Sequence, residues 1–480
     1  MDERYTRPDY SFVAVTLSAL LAVGPAFATG VLDHSHTSKH ASKDSVIVNG
    51  AGALVAAVRD VNRGIGSQIL LDAGIYELDA PLVIKRDGIT IRGRTGQRSD
   101  IIIKGAGPTE GSAHIFLVEA SDFTLADLTV GWVRHHAVQV RGEMNADNAK
   151  FINVEFRDAG QQLLKVSYAG PEQPTGDYGL VEACWFEYSP AAASHYYIGG
   201  VDVHGGKGWV VKDSRFVGIT SPETRLAEHA IHFWSNASDT LVERNRISRS
   251  DRGIGFGLGE RGHIGGIIRN NMIHTIRDVG IGLESSKDTL VTHNTVLTND
   301  YPNAIEFRFK QTSDVSIRNN LTNAAIASRD GASGVLSNNV SSANLTWFRL
   351  SHPTDFTLTK AIPTVVDGAS NTAAILDDIH CEPRPFGAGA DVGADETQLS
   401  PDETLRSELP GKRQASLTSF ITKTHYTLRQ LVGHPYSASI AGAFCAAIMV
   451  LVAVAKRPRR KTDRSTRCKR KYARNINPSQ

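Results

Sequence analysis

The chain has 480 residues, 41% hydrophobic and 21% charged, which supplies a sizeable core and excludes a disordered polyelectrolyte. The formal charge is +2, yet residues 456–480 carry net +10 and residues 1–28 net −1, leaving −7 for residues 29–436. A mildly acidic body argues against a nucleic-acid partner, and four cysteines are too few for a disulfide scaffold.

Residues 11–28, SFVAVTLSALLAVGPAFA, form an apolar run ending in Ala26-Phe27-Ala28, the small-residue pattern of a signal peptide over 1–28, with an uncleaved anchor as the alternative. Residues 29–45 read as a linker, and DHSHTSKH (33–40) belongs to it rather than to a metal site.

Further on, a unit recurs. TLVERNRI, GIIRNNMI, TLVTHNTV, VSIRNNLT and GVLSNNV align Asn245, Asn271, Asn294, Asn320 and Asn339, and weaker copies run upstream through WVVKDSRF, LVEACWF, KFINVEF and FTLADLTV. The runs are four to seven residues long, rich in Val, Ile, Phe and Thr and bounded by Asn, Asp and Gly, so they are strands and not helices. Short strands repeating at this period predict an all-β solenoid with three strands per coil. The aligned asparagines are then an internal amide ladder that pairs buried turn groups. For that reason the Asn-x-Ser/Thr matches at Asn320 and Asn339 are not read as glycosylation sites.

The strand before each asparagine turn aligns on an apolar pair, Val138/Val140, Leu164/Val166, Val201/Val203, Ile231/Phe233, Ile254/Phe256, Ile281/Leu283 and Ile305/Phe307. Strand alternation then points the intervening residues outward, as Gln139, Lys165, Asp202, His232, Gly255, Gly282 and Glu306. A second outward column is Arg141, Ser167, His204, Trp234, Gly257, Glu284 and Arg308. Exposed β-faces ordinarily carry Thr, Lys, Glu and Ser. Here Lys165, Asp202, His204, His232 and Trp234 precede a floor of Gly253, Gly255, Gly257, Gly280 and Gly282, and then Glu284, Glu306 and Arg308. Glycine weakens strands, so this trough is expected to admit something close to the backbone, with Trp234 free to stack on a sugar ring or to pack under GLGERGHIGG. His135, His136, Asp251 and Arg252 flank the face from its turns, and Glu306 and Arg308 are a candidate surface ion pair.

Residues 397–436 are polar and read as a linker or stalk. Ser437 to Ala455 are 19 residues without a charge, long enough to span a bilayer as a helix, and the basic run at 456–480 follows at once. The expected topology is a single C-terminal membrane span, the tail in the cytoplasm and the solenoid outside, in the periplasm or on the cell surface, as a monomer.

The repeat and its asparagine ladder resemble the right-handed parallel β-helix of the pectate-lyase-like superfamily. AGALVAAVRDVNRGIGSQILLDAGIYELDAPLVI is similar to the N-terminal capping helix and first coil of secreted bacterial members, and HCEPRPFGAGADVGADE (380–396) to their closing segment, so the resemblance covers about residues 46–396. It implies a polysaccharide partner and lyase, C5-epimerase or glycoside hydrolase chemistry, with a non-catalytic glycan-binding β-helix as the other class. YYIGGVDVH (196–204) resembles the Tyr and Asp-x-His arrangement of mannuronan C5-epimerases, with a longer spacing and no proline. Proton abstraction beside a uronate carboxylate needs a base, a cation and an acid. His232 or His204 is the expected base, Lys165 or Arg141 the cation, Tyr197 the acid and Asp202 the group that orients a histidine. Hydrolysis instead needs paired carboxyls, for which Glu284 and Glu306 on adjacent coils qualify. No cofactor is required, although Asp202 and Glu228 are candidates to hold calcium.

Overall fold

A computed structural model describes residues 44–349, 355–370 and 375–399. The signal segment, most of the stalk, the 437–455 span and the basic tail lie outside these residues. Among the described residues no helix is long and apolar enough to cross a membrane.

The single α-helix among them, Ala51–Asn62, buries Leu54, Ala57, Val58 and Val61. This i, i+3, i+4, i+7 stripe is one face of a helix, and it covers the start of the first coils. With the strand Ser45–Val48 before it, the helix leads into three parallel sheets of 12, 10 and 10 strands, each of which then takes every third strand in sequence order. The sheet that matters for function runs through Val138–Arg141, Leu164–Ser167, Val201–His204, His229–Trp234, Arg252–Phe256, Ile281–Glu284 and Asn303–Arg308. Its register pairs Val138, Leu164, Val201, Ile231, Ile254, Ile281 and Ile305 in one line, as the sequence alignment predicts, and each of these is fully buried.

Each coil makes its asparagine turn with one left-handed residue. Asp127, Asn153, Ala183, Asp213, Arg244, Asn270, His293, Asn319 and Asn338 have φ of 52–59°, a region where Asn and Asp are the least strained non-glycine residues. The next residue points inward and forms the ladder. Asn271 Oδ1 accepts from the backbone N–H of Asn245 at 2.9 Å and from its side-chain amide at 3.1 Å, and the pattern repeats through Asn294, Asn320 and Asn339. Toward the N-terminus the rung becomes Ser214 and then Cys184, which still hydrogen-bond. Beyond them it becomes Val154 and Leu128, fully buried. Alongside runs a stack of Phe156, Phe186 and Phe216, with ring centroids 4.5 and 4.6 Å apart.

The 380–396 stretch was expected to close the solenoid. Instead it lies along the flank, where Ile379, Val392 and Ala394 pack with Met272, Leu297 and Leu321. Asp377 bonds to Arg244 and Asn270 in the turns, and the Arg384–Glu396 pair is buried beneath. Val335 and Leu336, in the last of the described strands, are exposed.

Candidate functional site

Strand alternation correctly gives the two outward columns, but it does not say what covers them. His232, Asp202 and Lys165 are 1%, 2% and 7% exposed, not solvated as the sequence reading supposed. Their cover comes from the turns. Glu228 and Arg252 close one side, and the excursion after Phe256 brings Arg261 over the Trp234 ring at 4.0 Å. Trp234 therefore packs under that excursion, with His232 stacked 5.4 Å away and His204 3.9 Å away on centroids, and is closed to a sugar in this arrangement.

Within the cluster Asp202 is the hub. Lys165 Nζ donates to its Oδ2, Trp234 Nε1 donates to Oδ1 at 2.7 Å, and His204 Nε2 lies 3.5 Å from Oδ2. Burial opposes ionisation of Asp202, but Lys165 and the hydrogen-bonded His204 hold its carboxyl well below the usual range. Lys165 also reaches His204 Nε2 at 2.6 Å. Burial lowers the affinity of His204 and His232 for protons, and both are neutral imidazoles near pH 7. Buried at 1% exposure, His232 cannot serve as the base that touches a substrate.

Other expected members are placed elsewhere. Arg141 is held by Glu119 and Glu143 at 2.7 and 2.9 Å. Tyr197 sits in the loop before Val201, its N–H on His195 Nδ1 and its ring 6.2 Å from Tyr196, and among the described residues it makes no hydrogen bond to the cluster. Asp251 is structural, accepting from the N–H groups of Ser221 and Ala227 and from Arg277. Glu306 and Arg308 are not partners of each other: Glu306 pairs with Arg329 at 2.9 Å, and Arg308 with Asp330 at 2.8 Å and Glu284 at 3.7 Å. Asp202 pairs with Lys165, and Glu228 with Arg252.

The glycine floor is smaller than expected. A Cβ on Gly253 or Gly280 would strike the core side chain of Ile273 or Val296, so these two face inward. At Gly255 it would stand 2.8 Å from the His229 ring, which lies over the strand, and at Gly282 it would be 3.7 Å from His229 Nε2. Gly257 has φ +81°, and a Cβ there would be 1.8 Å from the Glu284 carbonyl oxygen, so only glycine fits.

Over this reduced floor opens a depression of about 410 Å³, counting the solvent at its mouth, lined by His229, Arg252, Asp278, Gly282, Glu284, Tyr301, Glu306 and Arg308. Burial and a hydrogen bond to Glu306 push the Tyr301 phenol up to about 12, so it stays protonated. Burial raises Asp278. Glu306 is engaged by Asn303 and Arg329, and Glu284 by the Gly259 N–H at 2.6 Å and by Arg308. Asp278 shows no ion pair among the described residues.

His229, Asp278 and Tyr301 were missed. His229 was recoverable, since two residues before each apolar pair the same register gives His136, Gln162, Gly199, His229 and Arg252. In that line His136 Nδ1 contacts the Gln162 carbonyl at 2.9 Å, and burial takes the ring to about 3. Asp278 and Tyr301 sit in turns of unequal length, which carry no period.

Residues 87–301 match the family model described as "Right handed beta helix region". No curated protein matches the chain. Among solved structures the chain is similar to the pectate lyase Pel9A, 13% identical, with a TM-score of 0.54 over 74% of this chain and 97% of that one. It is also similar to the A-module of the Azotobacter vinelandii mannuronan C-5 epimerase AlgE4, 15% identical, TM-score 0.34, 60% of this chain and 90% of that one. A third is an alginate lyase from Paenibacillus sp. str. FPU-7, 14% identical, TM-score 0.37, 61% and 97%. At such identities the likeness is one of fold. The parallel register and the three sheets make the described chain a parallel β-helix, and its residues 87–301 match the right-handed family.

Proposed function

We propose that the protein acts on a uronate-containing polysaccharide by removing the proton beside the sugar carboxylate, as a lyase or a C5-epimerase. The observation that carries this reading is the pocket on the glycine floor. Over one sheet face it gathers two guanidinium groups, a protonated phenol and a carboxyl without an ion-pair partner among the described residues. Arg252 and Arg308 suit a carboxylate and stabilise the charge that develops on it as the proton leaves. Asp278 is the proposed base, because burial raises its proton affinity toward the working pH, where a general base is most effective. Tyr301 is the proposed acid, delivering a proton to the leaving oxygen or to the opposite face of the carbon. The Lys165–Asp202–His204–His232 cluster holds the strands next to the pocket and is assigned no contact with substrate. That the pectate lyase Pel9A shares this fold supports the substrate class as an analogy.

The raised Asp278 also fits the acid of a hydrolase, with Glu284 or Glu306 as its partner carboxylate. Products separate the two. The chain is incubated with alginate, polygalacturonate and glycosaminoglycans, following ultraviolet absorbance of unsaturated uronate, reducing ends and the proton NMR spectrum of the polymer. New absorbance indicates a lyase, and an altered uronate spectrum without chain breaks an epimerase. Reducing ends alone would replace this reading by hydrolysis. Loss of all three signals with binding retained leaves a glycan-binding module.

A further inference from the structure

The turn entering His229–Trp234 brings Glu228, His229 and His232 together: one oxygen or nitrogen from each lies within 4.8 Å of the other two. His232 Nε2 is 3.1 Å from the Gly257 carbonyl oxygen, which can only accept, so Nε2 carries the hydrogen. In the neutral ring Nδ1 is then a lone pair. It faces Asp202 Oδ1 at 3.7 Å and Glu228 Oε2 at 3.9 Å, two further acceptors. Three acceptors around one gap repel unless something positive stands between them.

A second proton on His232 would serve, but it would leave another problem in place. His229 is 6% exposed, its ring is 4.6 Å from that of His232, and its buried Nδ1 has no hydrogen-bond partner among the described residues. An orphan buried nitrogen costs about 1–3 kcal/mol. A cation held by all three side chains removes both difficulties at once.

We propose that Glu228, His229 and His232 hold a divalent transition-metal cation, with His232 bound through Nδ1. Two imidazoles and one carboxylate suit zinc, cobalt or nickel, whereas calcium takes six to eight oxygens. The surroundings are those of a ligand set: the Gly257 carbonyl fixes the His232 tautomer from outside, and Arg252 Nη2, 3.4 Å from Glu228 Oε2, orients the carboxylate. Asp202, already held by Lys165 and Trp234, stays in the outer ring of contacts.

The site stands on these contacts alone. A second consequence rests on the proposed uronate chemistry. His229 lines the pocket, where Asp278, Glu284 and Glu306 outnumber Arg252 and Arg308, and a divalent ion behind His229 makes that wall attractive to a sugar carboxylate.

The test uses the full chain stripped with a chelator. Zinc is titrated by calorimetry, and cobalt by its visible absorption, which reports nitrogen ligation directly. One ion per chain is expected, undisturbed by a tenfold excess of calcium. His232→Ala and Glu228→Gln should each weaken zinc binding at least about tenfold, while Lys287→Ala leaves it unchanged, with circular dichroism confirming that the variants fold. If a variant does not fold, the cobalt spectrum of the unaltered chain decides alone. No ion bound, no nitrogen-ligated cobalt, or equal binding by folded variants overturns the site. If zinc binds as described and polymer turnover is the same with and without it, the site stands and the link to the carboxylate is overturned. Turnover by a chain that binds no metal overturns the site and leaves the proposed function standing.

Discussion

At the scale of single residues the ladder and the floor make opposite demands. Asn294 accepts from Asn271 on Oδ1 and donates to the Ile268 carbonyl and to Asn320, all within the core. Asn294→Ala leaves several of these groups unpaired and is expected to cost about 1–3 kcal/mol. Exposed Lys287→Ala should stay within about 0.5 kcal/mol. Urea unfolding compares them, and equal midpoints would remove the ladder's role. At the floor, the sequence suggests that Gly255→Val is harmless, because β-branched residues suit strands. The His229 ring reverses that expectation: the new Cβ meets it at 2.8 Å, an overpacking that costs about 1–3 kcal/mol. A double-mutant cycle in chelator with His229→Ala should recover most of the loss. Additive effects would show that the ring does not press on Gly255.

At the scale of elements, the flanking segment carries the pH dependence. Burial, with Glu396 beside it, pushes Asp391 up to about 7, and burial, with Asp395, pushes Asp378 up to about 6. Released from the flank, both ionise near pH 4. The packed segment therefore binds more protons than the released one between pH ~4 and ~7, and its stability falls as pH rises through that window, then levels off. Hydrogen exchange of the Ile379 and Val392 amides, corrected for intrinsic rates, should lose protection from pH 5 to pH 7.5, and Asp391→Asn should flatten part of the slope. Protection that rises over that interval contradicts the assignment. The same segment shows why the strands were legible and the site only in part. Apolar pairs at fixed spacing place Ile231 and Phe233 inward in any coil. The turns that bury His232, carry Asp278 and Tyr301 and lay Arg261 on Trp234 vary in length from coil to coil, and alternation along a strand says nothing of what folds over it.

At the scale of the whole molecule, coils touch mainly their neighbours, and far-ultraviolet circular dichroism should be β-dominated, since among the described residues the Ala51–Asn62 helix is one short element beside 32 strands. A mainly helical spectrum from residues 29–436 would contradict the solenoid. The asparagine turns have one more consequence, which concerns length. Every asparagine rung gives the next the same two hydrogens and offers the one before it the same oxygen, so this part of the chain can be edited only in whole repeats. Removing residues 294–319, the 26-residue interval between two rungs, sets Asn320 where Asn294 stood, facing Asn271. That shortened protein should fold and keep the Lys165–Asp202 cluster while losing Tyr301 and Arg308, whereas excising about half as much should fail to fold. The ladder is thus a ruler graduated in coils, and the pocket occupies its own graduations upon it.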